Sequence, residues 1–593
     1  AGVFRRQAVE PGEGALLCPT GRCADGSCCG PNNICGYGPD FCGPGCLGDC
    51  DATAMCGVHS AGGNISCGLD LCCSWGGWCG SSEVHCVGPN QWALCQEGFG
   101  KCEVIRPATY GENSGSTNGR SIGYYQAWNS RDRACNRVLP DEIQWQNYTH
   151  LFFAFASVNP QTFAVVPANP ADHQLMLDFT ALKRHGVQTW IAVGGFDFSD
   201  PGTPTHTTWS DICATPANRA AFISSLAAYM TTYGFQGVDL DWEYPGAPER
   251  GGNGHADVTN FVSLLREMRL AYGASFGISL TLAPDYWYLR WFDVAGLEPY
   301  VDHMGLMAYD LHGFWDSDVE ALGAIVRPQA DVSEIYNSSI PLAYAGVNFA
   351  KITFGVAWYG RGYTLADPSC NTVGCPFAGP SKPSRCINSA GVMSLDEIKD
   401  LIAEKGLTPR LIPGAMMKEI SWDDQWIGYD DEETIAMKRG FANNLGFGGI
   451  MAWSVDFNSG KSESAPVSTD GTCGSANGAR ICEGSGFGDC CSGSGWCGST
   501  GAHCGSGCQS GNCTQGAVTT DGRCGAQANN AICAGWPAGD CCSPAGYCGL
   551  TEAHCGTGCQ NGPCENGPVQ PSGTPVQSSG NPGQPTGTPV QSS

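Results

Sequence analysis

The cysteines are clustered along the chain, and their distribution limits the possible folds more than any other feature. Of the 37 cysteines, all but five lie in four segments of eight, at residues 18–50, 56–102, 473–513 and 524–564. Segments this short bury too little apolar surface to fold without covalent help. We therefore predict four small disulfide-held modules, two on each side of one large domain at residues 119–460. The five remaining cysteines are Cys135, Cys213, Cys370, Cys375 and Cys386.

The charge balance and the cysteine density limit the compartment and the partners. The chain has 30 basic and 56 acidic residues, a formal net charge of -26. This excess disfavours nucleic acid and anionic membranes as partners and suits a neutral polymer. No run of about 18 apolar residues occurs, so no transmembrane helix is predicted. Disulfide-rich composition indicates secretion, with the signal peptide removed or omitted before Ala1. Four weak N-glycosylation sequons agree with this, at Asn64, Asn147, Asn337 and Asn512.

Each small module carries the same internal spacing, CC-x5-C-x6-C. Zinc binding is the alternative to disulfides, but adjacent cysteine pairs do not match the usual C-x2-C zinc ligands. Eight cysteines allow 105 disulfide pairings, so the spacing leaves the connectivity open. With no metal cluster or nucleotide-binding loop elsewhere, we expect neither metal nor cofactor.

The module pattern resembles hevein-type chitin-recognition modules. In that family a serine and about three aromatic residues after the cysteine pair stack on N-acetylglucosamine. By position, the resemblance implies sugar-binding residues in modules two to four: Ser74, Trp78 and His85; Ser492, Trp496 and His503; Ser543, Tyr547 and His554. The alternative is that these aromatic residues only pack the small module cores. Linked modules of weak affinity would bind chitin with avidity.

All four modules depart from the hevein-type pattern, and modules three and four hold Ser494 and Ala545 at the first aromatic position. In module two, Trp75 lies one place before the family's first aromatic position, which is occupied by Gly76. Module one, at residues 18–50, has lost most of the sugar face and is expected to be mainly structural. Its residues at the four positions are Gly30, Asn32, Ile34 and Phe41.

The large middle domain alternates apolar, strand-like runs with helical stretches, which indicates repeated βα units. Eight runs occur, the number that a TIM (β/α)8 barrel needs, whereas a doubly wound open sheet is the alternative. The runs are at residues 121–125, 150–156, 189–195, 237–243, 278–284, 303–309, 352–359 and 448–455.

The fourth run, GVDLDWE, places Asp239, Asp241 and Glu243 at alternate positions. Because side chains alternate along a strand, the acids share one face and the apolar residues share the other. In a barrel the apolar face packs against the helices, so the acids line the interior and end at the C-terminal mouth. Burying three like charges raises at least one pKa, which predicts a general acid, and Glu243 is outermost. The alternative is an exposed edge strand with solvated acids.

These residues resemble the D-x-D-x-E core of family 18 glycoside hydrolases, over residues 119–460. Further motifs of that family follow in order: GYY at 123–125, VGG at 193–195, MAYD at 307–310, YGR at 359–361 and MAWSVD at 451–456. Two positions depart, since the family has Asp at Gln236 and Ser at Ala192. The resemblance implies a secreted chitinase of the fungal, killer-toxin-like kind, hydrolysing chitin with retention. All three acids lie on one strand and cannot flank a sugar, so the nucleophile is expected from the substrate's own acetamido group.

The resemblance also implies residue roles. Glu243 would protonate the glycosidic oxygen, Asp241 would stabilise the oxazolinium ion, Asp239 would share a proton with Asp241, and Tyr309 would align the acetamido carbonyl. The implied substrate-binding residues are Tyr124, Trp242, Met307, Asp310, Tyr359, Arg361 and Trp453. The alternatives are core packing for Tyr309 and Trp453 and a surface charge for Arg361. Further tryptophans near the mouth are candidates for extra sugar contacts: Trp287, Trp315, Trp358 and Trp426.

The remaining segments are connections and an insertion. Residues 363–428 exceed the length of a βα loop and resemble the α+β insertion of many family members. Residues 112–120 and 458–471 read as flexible linkers, residues 1–17 as an N-terminal segment, and the Pro/Gly/Ser-rich tail 565–593 as disordered. Five cysteines are an odd number, so at least one in the middle domain is unpaired or bonded to a module.

Three other functions remain open at this stage. A chitin-docking subunit of a killer-toxin-like system would have a secreted toxin partner. A chitin lectin would lack hydrolysis, although Glu243 argues against it. An endo-N-acetylglucosaminidase acting on glycoproteins fits the chitin modules less well.

Overall fold

The computed structural model describes residues 17–88, 94–319, 321–461, 467–473, 480–482, 485–492, 494–504, 522–525, 533, 541–557 and 559–560. Residues 1–16, the tail 565–593 and the sequon at Asn512 lie outside these ranges. The chain forms two units, Ala1–Glu463 and Ser464–Ser593. Among the described residues, no helix combines the length and apolarity needed to span a bilayer.

Eight parallel strands form a closed barrel in the first unit. The chain order from β2 to β8 is also the order around the barrel, and β1 pairs with both β2 and β8. The predicted TIM barrel is therefore confirmed over the open sheet. The strands are β1 (Ser121–Gln126), β2 (His150–Val158), β3 (Gln188–Gly194), β4 (Gly237–Asp241), β5 (Gly277–Leu282), β6 (His303–Leu306), β7 (Ile352–Ala357) and β8 (Gly449–Trp453).

Helices surround the barrel and follow local sequence signals. The longer ones are α1 (Asp172–Thr180), α2 (Thr208–Ala214), α3 (Pro216–Tyr233), α4 (Gly254–Tyr272), α5 (Val332–Ala345), α6 (Leu395–Lys405) and α7 (Glu432–Asn444). In α3, the Thr215 side chain accepts the Asn218 backbone N–H and a proline opens the first turn. It ends at Gly234, whose φ of 81° favours glycine.

An α+β insertion lies between β7 and β8, as predicted. Its antiparallel sheet begins at Tyr359 and ends at Tyr429, slightly wider than the expected 363–428, and α6 packs on it. The strands are Tyr359–Leu365, Phe377–Pro380, Val392–Ser394, Arg410–Ile412, Met417–Trp422 and Gln425–Tyr429.

The five cysteines of the middle domain form two disulfides and one free thiol. Cys135–Cys386 joins the loop after β1 to the insertion, and Cys370–Cys375 closes a short loop within it. Cys213 is free and buried in α2. The odd number therefore leaves one unpaired thiol, as one of the two predicted outcomes.

The segment at residues 112–120 is not a flexible linker, and that prediction is wrong. The backbone N–H and the hydroxyl of buried Thr117 both donate to Asn443 Oδ1, at 2.9 and 2.8 Å. Asn443 Nδ2 donates to the Glu112 carbonyl at 2.9 Å. The physical reason is that polar groups at the C-terminal end of α7 are satisfied by this segment, which fixes it in place.

The four small modules share one scaffold. In each, the adjacent cysteine pair forms a short hairpin with the following Cys-Gly, and the next cysteine ends a four-residue helix. In each, the first cysteine bonds the fourth, the second the fifth and the third the sixth. These three pairings, which spacing left open, are thus the same in all four modules. The seventh and eighth cysteines pair as Cys46–Cys50 in module one and Cys95–Cys102 in module two.

Module two packs directly on the barrel. Buried Tyr344, near the end of α5, donates its hydroxyl to the Glu103 carbonyl at 2.9 Å and accepts the Ile105 N–H at 3.1 Å. Lys101 Nζ donates to the Tyr344 carbonyl at 2.6 Å. Because these bonds join the end of the module and the residues after it to a barrel helix, module two is held against the barrel.

Candidate active site

The strand β4 separates its acids from its apolar residues, as alternation requires. Val238 and Leu240 are buried, and Trp242 stacks on Trp209 of α2, with ring centroids 5.9 Å apart, and meets Phe261 of α4 edge to face. Trp242 is only 2% exposed. The expectation that Trp242 binds substrate is therefore wrong, because it lies on the helix-facing side of the strand.

Asp239 is the deepest acid of the opposite face. Its two carboxylate oxygens accept the Ser279 hydroxyl at 2.6 Å and the Tyr124 hydroxyl at 2.7 Å. Burial raises the pKa of Asp239 to about 6, and the two hydrogen bonds oppose the rise. Tyr124, predicted to bind substrate, instead contacts an acid and is itself buried.

Asp241 lies between the other two acids and accepts one hydroxyl, from Thr281, at 2.7 Å. Burial raises the pKa of Asp241 well above its usual value, and the charges of Glu243 and Asp239 raise it further. The Thr281 hydrogen bond works in the opposite direction. With the smaller number of donors, Asp241 retains a proton more readily than Asp239.

Sequence reasoning missed Ser279 and Thr281. Both lie on β5, which pairs with β4 so that Ser279 stands beside Asp239. The signal was present, because these hydroxyls occupy alternate positions in ISLTL, on the same side of the sheet as the acids of the neighbouring strand.

Glu243 lies just past the end of β4, with 8% of its surface exposed. Burial raises the pKa of Glu243 to about 7, whereas a hydrogen bond from Tyr244 and the positive charge of Arg250 lower it. A buried carboxyl with a pKa near neutrality is protonated in part at physiological pH and has the property of a general acid.

Arg250 holds the main chain of Glu243 and was also missed. Its Nε donates to the Glu243 carbonyl at 2.9 Å, and its Nη1 donates to Asp200 Oδ1 at 2.5 Å. Its other nitrogen bonds the Phe196 carbonyl, and the guanidinium lies 3.9 Å from the Phe196 ring centroid. Arg250 is 2% exposed. It therefore joins the loops after β3 and β4 at the position of the acid.

Tyr309 follows β6 and faces the same acids. Burial raises the pKa of Tyr309 well above its usual value, and the charge of Asp241 is the largest electrostatic cause. A Cβ atom at Gly355 of β7 would lie 2.9 Å from the Tyr309 ring, so glycine there permits this close approach. The neighbouring Met307 is buried, as is Tyr359, which meets Tyr309 edge to face.

Asp310 and Arg361 form a two-pronged ion pair. Arg361 Nε and Nη2 each donate to an Asp310 oxygen at 2.7 Å, and the guanidinium lies 5.1 Å from the Trp315 ring centroid. The pair neutralises the carboxylate that follows Tyr309. Arg361 is therefore not an isolated surface charge.

The half-buried Trp453, at the end of β8, belongs to an aromatic group at the barrel mouth. Its ring lies 5.5 Å from Tyr124, 6.1 Å from Trp128 and 5.7 Å from Phe155, centroid to centroid. These rings form one wall beside the acids. Trp128 and Phe155 were not among the predicted residues.

The further tryptophans differ in position. Trp287 and Trp315 are half-buried, whereas Trp426 is fully buried in the insertion and donates to Glu419 at 2.7 Å. The expectation that Trp426 contacts sugar is therefore wrong. Its indole fills the core of the insertion sheet.

The two departures from the family motif have structural explanations. Gln236 accepts the Thr189 N–H at 3.1 Å before β4 begins, at the end of the strand away from Glu243. Ala192 stands beside Asp239 on β3 and offers no hydroxyl, but Ser279 bonds the same acid from β5. Neither departure removes a donor to Glu243.

The predicted sugar-binding residues of the modules have two environments. Ser74, Ser492 and Ser543 are buried and accept backbone N–H groups within their own modules, so each stabilises its turn. Trp496 and Tyr547 are 54% and 55% exposed, whereas Trp78 is half-buried. The exposed rings are not packing the module cores.

The three histidines are arranged alike. Each histidine Nδ1 lies within 2.7 to 2.8 Å of a Ser or Thr hydroxyl, and each ring covers the glycine of the Cys-Gly pair. The histidines are His85, His503 and His554.

Comparison with known proteins agrees with this geometry. A family described as "Glycosyl hydrolases family 18" matches residues 120–458, more than half of the chain, and "Chitin recognition protein" matches residues 523–564. A solved structure, Ostrinia furnacalis Group II chitinase catalytic domain 2, is 25% identical and has a TM-score of 0.52, covering 57% of this chain and 90% of that one.

Two curated relatives are similar over a larger part of the chain. "Secreted chitinase LysM12" of Penicillium expansum is 26% identical over 410 residues, which is 66% of this chain and 27% of that protein. "Killer toxin subunits alpha/beta" of Kluyveromyces lactis is 27% identical over 424 residues, 68% of this chain and 34% of that protein. The matched region thus spans about a third or less of each relative's length.

Proposed function

The chain belongs to glycosyl hydrolase family 18, and on that premise we propose that it is a secreted chitinase. It hydrolyses the β-1,4 linkages between N-acetylglucosamine units with retention of configuration. The observation that carries the proposal is the buried Glu243, whose pKa is raised to about 7 at the mouth of a barrel lined by two further acids. The relatives with chitinase in their names support the substrate.

Glu243 acts first as the acid that protonates the glycosidic oxygen. The acetamido carbonyl of the bound sugar attacks its own C1, and the bond to the leaving sugar breaks. Water, deprotonated by Glu243, then opens the resulting oxazolinium ion and restores the proton to Glu243. The arrangement favours this route because the three acids lie in succession along β4 and just past its end, so no two of them can flank one sugar. The carboxylate of Asp310, the next acid, is already paired with Arg361.

The neighbours of Glu243 take the supporting roles. Asp241, with one oxygen bonded to Thr281, accepts the acetamido N–H and stabilises the cation. Tyr309 donates to the acetamido carbonyl and aligns it for attack. Trp453 provides an apolar floor for the sugar ring, since it is half-buried beside Tyr124.

Product release from colloidal chitin tests the proposal. The full chain is compared with Glu243→Gln and with a matched control, Glu404→Gln, whose carboxylate is exposed on α6. We expect soluble oligosaccharides from the wild type and the control, with the β anomer formed first, and none from Glu243→Gln. Product from Glu243→Gln at the wild-type rate would show that another group is the acid.

A second candidate function follows from the similarity to killer toxin subunits. In it, hydrolysis serves the docking of a secreted toxin partner on a chitin-containing wall. Its test is purification of the secreted protein under non-reducing conditions. A second polypeptide that remains bound through gel filtration would support this role, and a lone chain would support the chitinase without a partner.

A further inference from the structure

Modules two and four have the same supporting hydrogen bonds around the sugar face. The backbone N–H of Trp78 donates to Ser74 Oγ at 3.0 Å, and that of Tyr547 donates to Ser543 Oγ at 3.1 Å. Gln96 and Gln560 each donate, at 2.8 Å, to the carbonyl of the same serine. Since module four lies in the segment that matches the chitin recognition family, module two has the scaffold of a sugar-binding module.

Module one has lost its own face but presents a different aromatic residue. Tyr37 follows the Cys-Gly pair, where the other modules have Ser81, Ser499 and Leu550. Its ring centroid lies 5.2 Å from that of Trp78 in module two, and the rings are inclined by 54°. Tyr37 is half-buried, so part of its ring contacts the neighbouring module and part reaches solvent.

The junction between the two modules is short and packed. A Cβ atom at Gly38, next to Tyr37, would lie 2.6 Å from His59 Nε2 of module two. Ala54, between the modules, donates its N–H to the His59 carbonyl at 2.9 Å. The two rings are therefore held together before any ligand binds, which lowers the ordering cost of binding.

Module two lacks a ring at the family's first aromatic position, as modules three and four also do. Its first aromatic position holds Gly76, and Trp75, one place earlier, is 49% exposed. Trp78 is half-buried beside Tyr37, whereas Trp496 and Tyr547 are more than half exposed. Tyr37 thus lies where it extends the apolar surface of Trp78 across the module boundary.

We propose that modules one and two form a single composite site, in which Tyr37 and Trp78 together stack on an oligomer of N-acetylglucosamine. The ligand class rests on the function proposed above. The role of module one is then to complete the neighbouring site, and its own lost face is of no consequence for binding.

Binding to colloidal chitin tests the composite site in the full chain. The background carries Glu243→Gln to prevent hydrolysis, and Trp496→Ala and Tyr547→Ala to remove the exposed rings of modules three and four. Into it are placed Tyr37→Ala, Trp78→Ala and both together. Tyr37→Phe retains the ring, and Tyr110→Ala is a matched control for an exposed tyrosine outside the modules.

We expect Tyr37→Ala and Trp78→Ala each to weaken binding about tenfold, the order of one stacked ring, and the double variant to lose little more than either alone. Tyr37→Phe and Tyr110→Ala should bind as the background does. Unchanged binding by Tyr37→Ala would overturn the proposal, as would tighter binding, which would make Tyr37 a cover over Trp78. If Tyr37→Ala lowers the melting temperature, Tyr37→Leu replaces it, because leucine keeps bulk without a ring.

Hydrolysis by the unmutated chain is measured in parallel. Tyr37-dependent binding without hydrolysis would remove the proposed chitinase activity and retain this site. Hydrolysis together with binding that does not depend on Tyr37 would support the chitinase activity and overturn the composite site.

Discussion

Replacing Glu243 by glutamine should stabilise the protein above neutral pH while abolishing hydrolysis. In the folded chain burial raises the pKa of Glu243 from 4.5 to about 7. Below pH 4.5 the carboxyl is protonated in both the folded and the unfolded chain, so its ionisation has no effect on stability. Between pH 4.5 and 7 the unfolded chain loses the proton first, so the free energy of unfolding falls as pH rises.

The size of the effect follows from the same pKa. A rise from 4.5 to about 7 corresponds to about 3 kcal/mol of unfolding free energy lost once the pH exceeds 7. Glutamine has nearly the same shape and does not ionise, so the variant avoids this loss. For a domain of this size, the melting temperature of the variant should exceed that of the wild type by about 5 °C at pH 8.5.

Calorimetry at pH 4.5 and pH 8.5 is the assay, with Glu404→Gln as the exposed control. The expected result is a difference between Glu243→Gln and wild type that grows with pH, and no such growth for the control. A difference independent of pH would refute the reasoning, since it would mean that Glu243 ionises as readily in the folded as in the unfolded chain. The measurement needs no substrate and is independent of the chitinase proposal.

Three other variants test separate parts of the structure. Arg250→Gln should lower kcat by about 10- to 100-fold, because the Glu243 carbonyl loses the hydrogen bond that positions it. It should also move the alkaline limb of the kcat/KM profile to higher pH, because a positive charge that lowers the pKa of Glu243 is removed. Arg250→Lys should move that limb less, and an unmoved limb in Arg250→Gln would contradict the prediction. Tyr309→Phe should lower kcat about 100-fold with little change in KM, measured on a soluble oligosaccharide. A rise in KM of about 100-fold with kcat unchanged would instead indicate a role in binding only. Tyr344→Phe should raise the rate of amide hydrogen exchange at Ile105 on the order of tenfold, because the Ile105 N–H loses its acceptor and the Glu103 carbonyl loses its donor. An unchanged exchange rate would show that the hydroxyl does not hold module two.

The barrel could be predicted from the sequence because its signals are local. Each apolar run is bounded by turns, and the alternation in β4 assigns the three acids to one face. Ser279 and Thr281 have the same local signal, but their meaning depends on strand register, which only the closed barrel establishes. The same alternation that places the acids inside the barrel predicts that Trp242 faces the helices. The expectation that Trp242 binds substrate was inconsistent with that pattern.

Other features depend on contacts between distant segments, which composition does not reveal. Residues 112–120 are polar and glycine-rich, and such a composition is also typical of mobile linkers. Asn443 fixes them from a distance of more than 300 residues along the chain. In the same way, the contact of Tyr37 with Trp78 depends on how two modules pack, and neither module's own spacing predicts it.

The hydrogen-bond donors along β4 explain how one strand holds acids with different roles. Asp239 accepts hydrogen bonds from two hydroxyls, and its pKa is raised only to about 6. Asp241 accepts a hydrogen bond from one hydroxyl, and the charges of Asp239 and Glu243 on either side raise its pKa further. The three carboxyl groups cannot all be charged in a buried site. The negative charge is therefore favoured on Asp239, at the bottom of the strand, where two hydroxyl donors stabilise it. A proton is then retained nearer the mouth, beside the group that must deliver one. The loss of a hydroxyl at Ala192 is compatible with this order, because Ser279 and Tyr124 supply the donors from β5 and β1.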